Sequence, residues 1–183
     1  MIPLELKLKK LAGFLGVALA CAGVQECGQG KKPNPTVVEA RGNIATYKEQ
    51  AVLAAGRVKA SAKPESEEYN NARQLYDTAM AENNGWVTSL KLGIQGGENL
   101  GNSAEFKNKA QAAAKATKAF VDYASKVGRT RALPVAAAEI VKILVDNGLA
   151  VWKAVHEQRK QDRIDEGNRV EKELRWPKWE EIK

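Results

Sequence analysis

Chemistry at a protein site needs a nucleophile, a base or a set of metal ligands, and this chain offers few of them. It has one histidine, His156. A Ser-His-Asp or Cys-His system would have to use that residue, and no G-x-S-x-G elbow accompanies it. With Trp152 four positions earlier, His156 reads as a helix-surface residue. No CxxC or HExxH is present, and the Glu-x-x-His of di-iron bundles is missing because Lys153 stands three before His156. Glu65, Glu67 and Glu68 could in principle pair as general acid and base. They open a helical pattern, where carboxylates suit the positive end of the helix dipole. The glycine-rich stretch GIQGGENLG, Gly93 to Gly101, matches neither GxxxxGK[ST] nor GxGxxG and follows no strand pattern, so it reads as a connection between helices. No catalytic residue, metal site or cofactor is expected.

The remaining reactive groups are the two thiols, Cys21 and Cys27. Lys7, Lys9 and Lys10 form a positive cluster, and Leu11 to Ala20 (LAGFLGVALA) is apolar throughout. A membrane-spanning helix needs about 20 apolar residues, so this run is too short to span and reads instead as the n-region and h-region of a signal peptide, residues 1–20. Ala18 and Ala20 form an A-x-A-like cleavage site that would leave Cys21 as the first residue. Ala18-Leu19-Ala20-Cys21 resembles the lipobox of bacterial lipoprotein precursors. The resemblance covers the first 21 residues, and it implies a diacylglyceryl thioether on Cys21, an acylated amine and a place in the bacterial cell envelope. Several acyl chains, at about 0.8 kcal/mol per buried CH₂, anchor a protein where one would not. Two other readings of the segment are export without lipid, to the periplasm or the medium, and an uncut helix inside a cytosolic domain. Lipid on Cys21 leaves Cys27 as an odd thiol, whereas an unmodified Cys21 could join it in a small disulfide loop.

Charge bounds the partners. The formal net charge is +7, and its excess lies in the body, with 18 basic against 12 acidic residues over 31–155 and equal numbers over 156–183. Lys and Arg neutralise phosphates, which invites a nucleic-acid reading. An exported chain seldom meets nucleic acid, and with 6% aromatic residues it has few stacking platforms. Anionic lipid head groups or envelope polymers are the better counterparts.

The elements that must position these groups are helical. Residues 21–35 are rich in Gly, Pro and polar groups, a linker composition. Steps of three and four then run through Val37, Ala40, Ile44, Tyr47, Ala51, Ala54 and Val58, one face of a helix over 36–62 that Lys63-Pro64 ends. Tyr69, Ala72, Tyr76, Ala79, Asn83, Trp86 and Leu90 predict a second helix, with a weak point or a bend at Asn83-Asn84-Gly85 and a loop over Gly93–Gly101. Asn102 and Glu105 predict a capping-box-like start to a third, whose seam is Phe106, Ala110, Ala113, Thr117, Phe120, Ala124 and Val127. Beside that seam runs a stripe of Lys107, Gln111, Lys115, Lys118, Asp122 and Lys126. Residues 103–131, with seven basic and two acidic, are the most basic stretch, so Lys107, Lys115, Lys118 and Lys126 are candidate contacts to an anionic surface. Pro134 suits the first turn of a fourth helix, whose inner face is Ile140, Leu144, Gly148, Val151 and Val155.

Beyond Val155 the chain is dense in both signs of charge, and the pairs Asp165/Arg169 and Glu171/Arg175 support a helix that buries little. A helix running from 134 to 175 would reach roughly 63 Å at about 1.5 Å per residue. It must bend, near Gly148 or Gly167, or project past its partners as a charged spike. Its thin apolar edge, Ile164, Val170 and Leu174, with Trp176 and Trp179 after it, is a candidate contact for a protein partner or a second copy of the chain; the two tryptophans serve equally well to cap the bundle's own end.

The expectation is therefore an all-α, up-down bundle of about four long helices over 36–155 with a charged helical extension over 156–183. The function expected is non-enzymatic: a membrane-anchored envelope protein that binds a partner or serves as a structural component. The alternatives are a cytosolic basic protein that binds nucleic acid, which requires an uncut leader, and a helical-bundle enzyme with a site between helices.

Overall fold

The computed structural model describes residues 34–128 and 136–183, and these are all helix, turn and short connection. The leader, Cys21, Cys27, Pro134 and nearly all of the linker lie outside the described residues. Five helices follow in order: α1 (Pro35–Ser61), α2 (Glu67–Gly96), α3 (Ala104–Val127), α4 (Ala137–Val155) and α5 (Lys160–Leu174). Short 3-10 turns lie at Leu100–Asn102 and Trp179–Glu181.

Local chemistry sets most of the boundaries. The Asn34 side chain accepts the Thr36 N–H at 3.0 Å ahead of Pro35, so the first helix starts at the end of the expected linker. Ser66 caps α2 by accepting from the Tyr69 N–H at 3.2 Å, with Glu67 and Glu68 in its first turn. Gly97, at φ 71, closes that helix in the left-handed conformation that glycine adopts without strain. Ser103, not Asn102, caps α3, accepting from the Phe106 N–H at 3.2 Å, because Asn102 is taken up by the preceding 3-10 turn.

The second helix continues unbroken through Asn83-Asn84-Gly85, the first of the two courses expected there, and both asparagines have partners outside the helix. Asn83 donates to the Ala79 carbonyl at 2.8 Å and to Thr117 Oγ1 at 2.9 Å, while Asn84 binds the backbone of Trp176. Gly93 and Gly96 are helical rather than part of a loop. A Cβ at Gly93 would stand 2.3 Å from Leu100, so this glycine lets the turn after α2 fold back against the helix.

The core follows the predicted seams: Ile44, Tyr47, Ala72, Tyr76, Trp86, Leu90, Phe106, Phe120, Ile140, Leu144 and Val151 are all buried. Small residues set the helix spacing, as expected where side chains must let backbones approach. A Cβ at Gly148 of α4 would meet Phe106 at 2.9 Å and Trp86 at 3.0 Å.

The extension differs from its expectation. From Ala137 to Leu174 the chain is not one rod, and the break is at neither Gly148 nor Gly167: α4 ends at Val155, four residues turn the chain, and α5 starts at Lys160. Both glycines are sites of close packing instead, Gly167 against Gln95. The segment from Lys160 onward returns along the bundle, parallel to α1 and antiparallel to α2. From one end to the other, Gln95 meets Ile164 and Asn168, Lys91 meets Glu171, Asn84 meets Trp176, Tyr76 meets Pro177, and Tyr69 meets Trp179. Pro33–Lys183 is thus one compact unit, and residues 156–183 belong to it.

Candidate functional site

The C-terminal segment was one candidate partner surface, and its apolar residues are already engaged. Val170, Leu174, Trp176, Trp179 and Ile182 are all buried between α1 and α2; Ile164 is half-buried. In the folded chain Val170, Leu174, Trp176 and Trp179 therefore cap the bundle's own seam, the second of the two roles expected for the tryptophans. Trp179 lies edge-on to Tyr69 with ring centroids 5.5 Å apart, sits 5.5 Å from Tyr76, and donates from Nε1 to the Tyr69 hydroxyl at 2.9 Å. Lys59 donates to the Trp179 carbonyl at 3.1 Å and to that of Ile182, and Arg73 pairs with Glu180. Tyr76 donates to the Pro177 carbonyl at 2.9 Å, and its ring is edge-on to Phe120 at 5.2 Å. Burial pushes the Tyr47 and Tyr76 hydroxyls well above the ordinary tyrosine range, Tyr76 further so by the charge of Asp77, so both stay neutral inside this aromatic wall.

An ion network pins the other half of the segment, and sequence reasoning missed it. Arg41, on the buried face of α1, lies 3.4 Å from Glu166 and 3.0 Å from Glu173 of α5, and Arg169 lies 3.3 Å from Glu166. Arg41 and Glu166 are the buried pair of this group, exposed by 7% and 9%. Their contact is coulombic, since Arg41 Nε and Glu166 Oε1 make no well-angled hydrogen bond. One signal was available: Arg41 follows Ala40 and precedes Ile44 by three, which puts a cation on the edge of an apolar stripe.

The lysine stripe has the opposite character. Lys107, Lys115 and Lys126 are exposed on the outer side of α3 and form no salt bridge among the described residues. From Lys107 to Lys126 the row covers roughly 28 Å at about 1.5 Å per residue. Lys118, by contrast, is partly covered and bound to Asp122 at 2.6 Å. Lys109, just outside the stripe, is held by Glu105 at 2.7 Å, and that contact keeps the Glu105 carboxyl below its usual range. The structure thus separates the candidate row into three open cations and one spent on its neighbour.

The groups weighed for catalysis are dispersed. His156 ends α4 with its ring stacked on Trp152 at 4.6 Å and Nδ1 2.8 Å from the Lys153 carbonyl. Glu65, Glu67 and Glu68 are exposed at the start of α2. Among the described residues no group of His, Cys, Asp and Glu could hold a metal ion, and no helix is long and apolar enough to cross a membrane. Comparison with family models, with curated proteins and with solved structures gives no match to this chain.

Proposed function

We propose that this chain is an exported, lipid-anchored protein of a bacterial envelope that acts without catalysis, as a binding or structural component. Lipid on Cys21 supplies the anchor, the linker is the leash, and α3 is the face presented to an anionic surface. One observation supports that choice of face: Lys107, Lys115 and Lys126 stand exposed and unpaired among the described residues, whereas the apolar residues of the rival surface are buried within the bundle. A row of fixed cations attracts phosphate or carboxylate groups spread over a lipid layer or a polymer, the more so because among the described residues neither Lys115 nor Lys126 has a carboxylate to satisfy it first.

The test is co-sedimentation with vesicles containing anionic lipid, and with an anionic envelope polymer, at low and high salt. A basic residue near an anionic membrane contributes about 1 kcal/mol. Changing Lys107, Lys115 and Lys126 together to Gln is expected to weaken binding by up to about 100-fold, since about 1.4 kcal/mol is a factor of ten. Lys118→Gln, which removes a lysine already paired, has a much smaller effect. Salt weakens the wild-type interaction as the Debye length falls. Binding that ignores the triple change removes α3 as the contact face.

A further inference from the structure

We propose that the segment from Lys160 to Lys183 can leave its own bundle and fill the same seam in a second copy of the chain, giving a domain-swapped dimer. The hinge carries the inference. His156-Glu157-Gln158-Arg159 contains neither Gly nor Pro and consists of residues that a helix accepts, yet the helix stops there. His156 still has right-handed helical angles, and Arg159, at φ −57 and ψ 151, is extended. Rotation about ψ of Arg159, with Glu157 and Gln158 brought to helical angles, would join α4 and α5 into one helix from Ala137 to Leu174. That is the helix the sequence pattern itself describes.

Side chains hold the bend. Arg163 Nη1 donates to the His156 carbonyl at 3.0 Å, Gln158 Nε2 donates to the Ala154 carbonyl at 3.0 Å, and His156 Nδ1 sits on the Lys153 carbonyl. These bonds satisfy the orphan carbonyls at the end of α4, which a continuous helix would satisfy by itself. The segment packs on α2 and α1 and touches α4 little. Its whole contact set, from Arg41/Glu166 to Tyr69/Trp179, is therefore available unchanged on a second copy. The swapped form keeps those contacts and restores the interrupted helix hydrogen bonds; the side-chain bonds at the bend, the few contacts to α4 and the entropy of association oppose it. Exchange of an identical element is a low-cost route to a dimer, and short hinge loops invite it.

Gln95 and Gly167 give the readout, since a Cβ on Gly167 would lie 2.7 Å from Gln95 Cγ, within disulfide reach. The full chain, with Cys21 and Cys27 changed to Ser, carries Gln95→Cys and Gly167→Cys, is refolded dilute or concentrated, and is then oxidised. Dilute refolding is expected to give internally linked monomer. Concentrated refolding gives covalent dimer on a non-reducing gel, with doubled molar mass in solution. Arg159→Pro fits the observed φ, forbids the continuous helix and abolishes the dimer while the monomer still folds. Arg163→Ala, which frees the His156 carbonyl, raises the dimer several-fold and serves as the reading if the proline variant does not fold. Internally linked monomer alone at every concentration overturns the proposal, as does a dimer that Arg159→Pro leaves undiminished or an Arg163→Ala chain that swaps no more than its parent.

Discussion

Replacing Trp179 by Ala is expected to cost about 3–5 kcal/mol of unfolding free energy, the range for deleting a large aromatic side chain from a packed core. The residue is buried to 2% exposure, its ring contacts Tyr69 and Tyr76, and its indole N–H satisfies the Tyr69 hydroxyl. Alanine leaves a cavity walled by α1, α2 and the returning segment, and it removes the Tyr69 hydroxyl's donor. A domain has about 5–15 kcal/mol in all, so the change takes about a fifth of the total or more. Urea unfolding followed by circular dichroism measures it, with Leu53→Ala as the control. Leu53 is 61% exposed on α1, and loss of a surface side chain stays within about 0.5 kcal/mol. If Trp179→Ala were as mild as Leu53→Ala, the C-terminal residues would not be part of the core.

The second large effect falls at Arg41. Arg41→Met removes the cation and leaves Glu166 enclosed, with Arg169 as its nearest remaining partner. Removing one member of a buried ion pair costs about 3–5 kcal/mol, whereas replacing both by apolar groups is often neutral or stabilising. Arg169 is half exposed and Glu173 can turn to water, so the lower end of that range is expected. The double variant Arg41→Met with Glu166→Leu should recover most of the loss. The same denaturation series, read as a double-mutant cycle, decides it. A small loss in the single variant, or a double variant no better than the single, would mean that desolvated charge is not what joins α5 to α1.

The helices were legible because their seams are regular. Phe106, Ala110, Ala113, Thr117, Phe120 and Ala124 repeat every three or four residues, and each is buried in the folded chain. Fixed steps of that kind report a face directly. The path of the last 24 residues was not legible from the same rule. Helix α5 is charged on most of its surface and buries only Glu166, Gly167, Val170 and Leu174, so its period looks like that of an exposed helix. What draws it inward lies beyond it in the chain, at Trp176, Trp179 and Ile182, and across from it at Arg41, Asn84 and Lys59. Pairing across that distance leaves no periodic mark. Asn83 and Asn84 left the course of α2 open for a related reason. Asparagine next to glycine usually punctuates a chain, but here Thr117 and the Trp176 backbone use the two side chains. The lysine stripe was legible as a row, but the pairing that sets Lys118, bound to Asp122, apart from its open neighbours forms only in the fold.

Fold and face matter to the proposed role only if the bundle is held at a surface, and that depends on Cys21. Mass spectrometry of the N-terminal peptide, from the full chain expressed in a bacterial host, reads this directly. The expected peptide begins at Cys21 and carries a diacylglyceryl group with an acylated amine. A peptide that still begins at Met1, or a Cys21 that is first in the chain but unmodified, contradicts the anchored envelope protein.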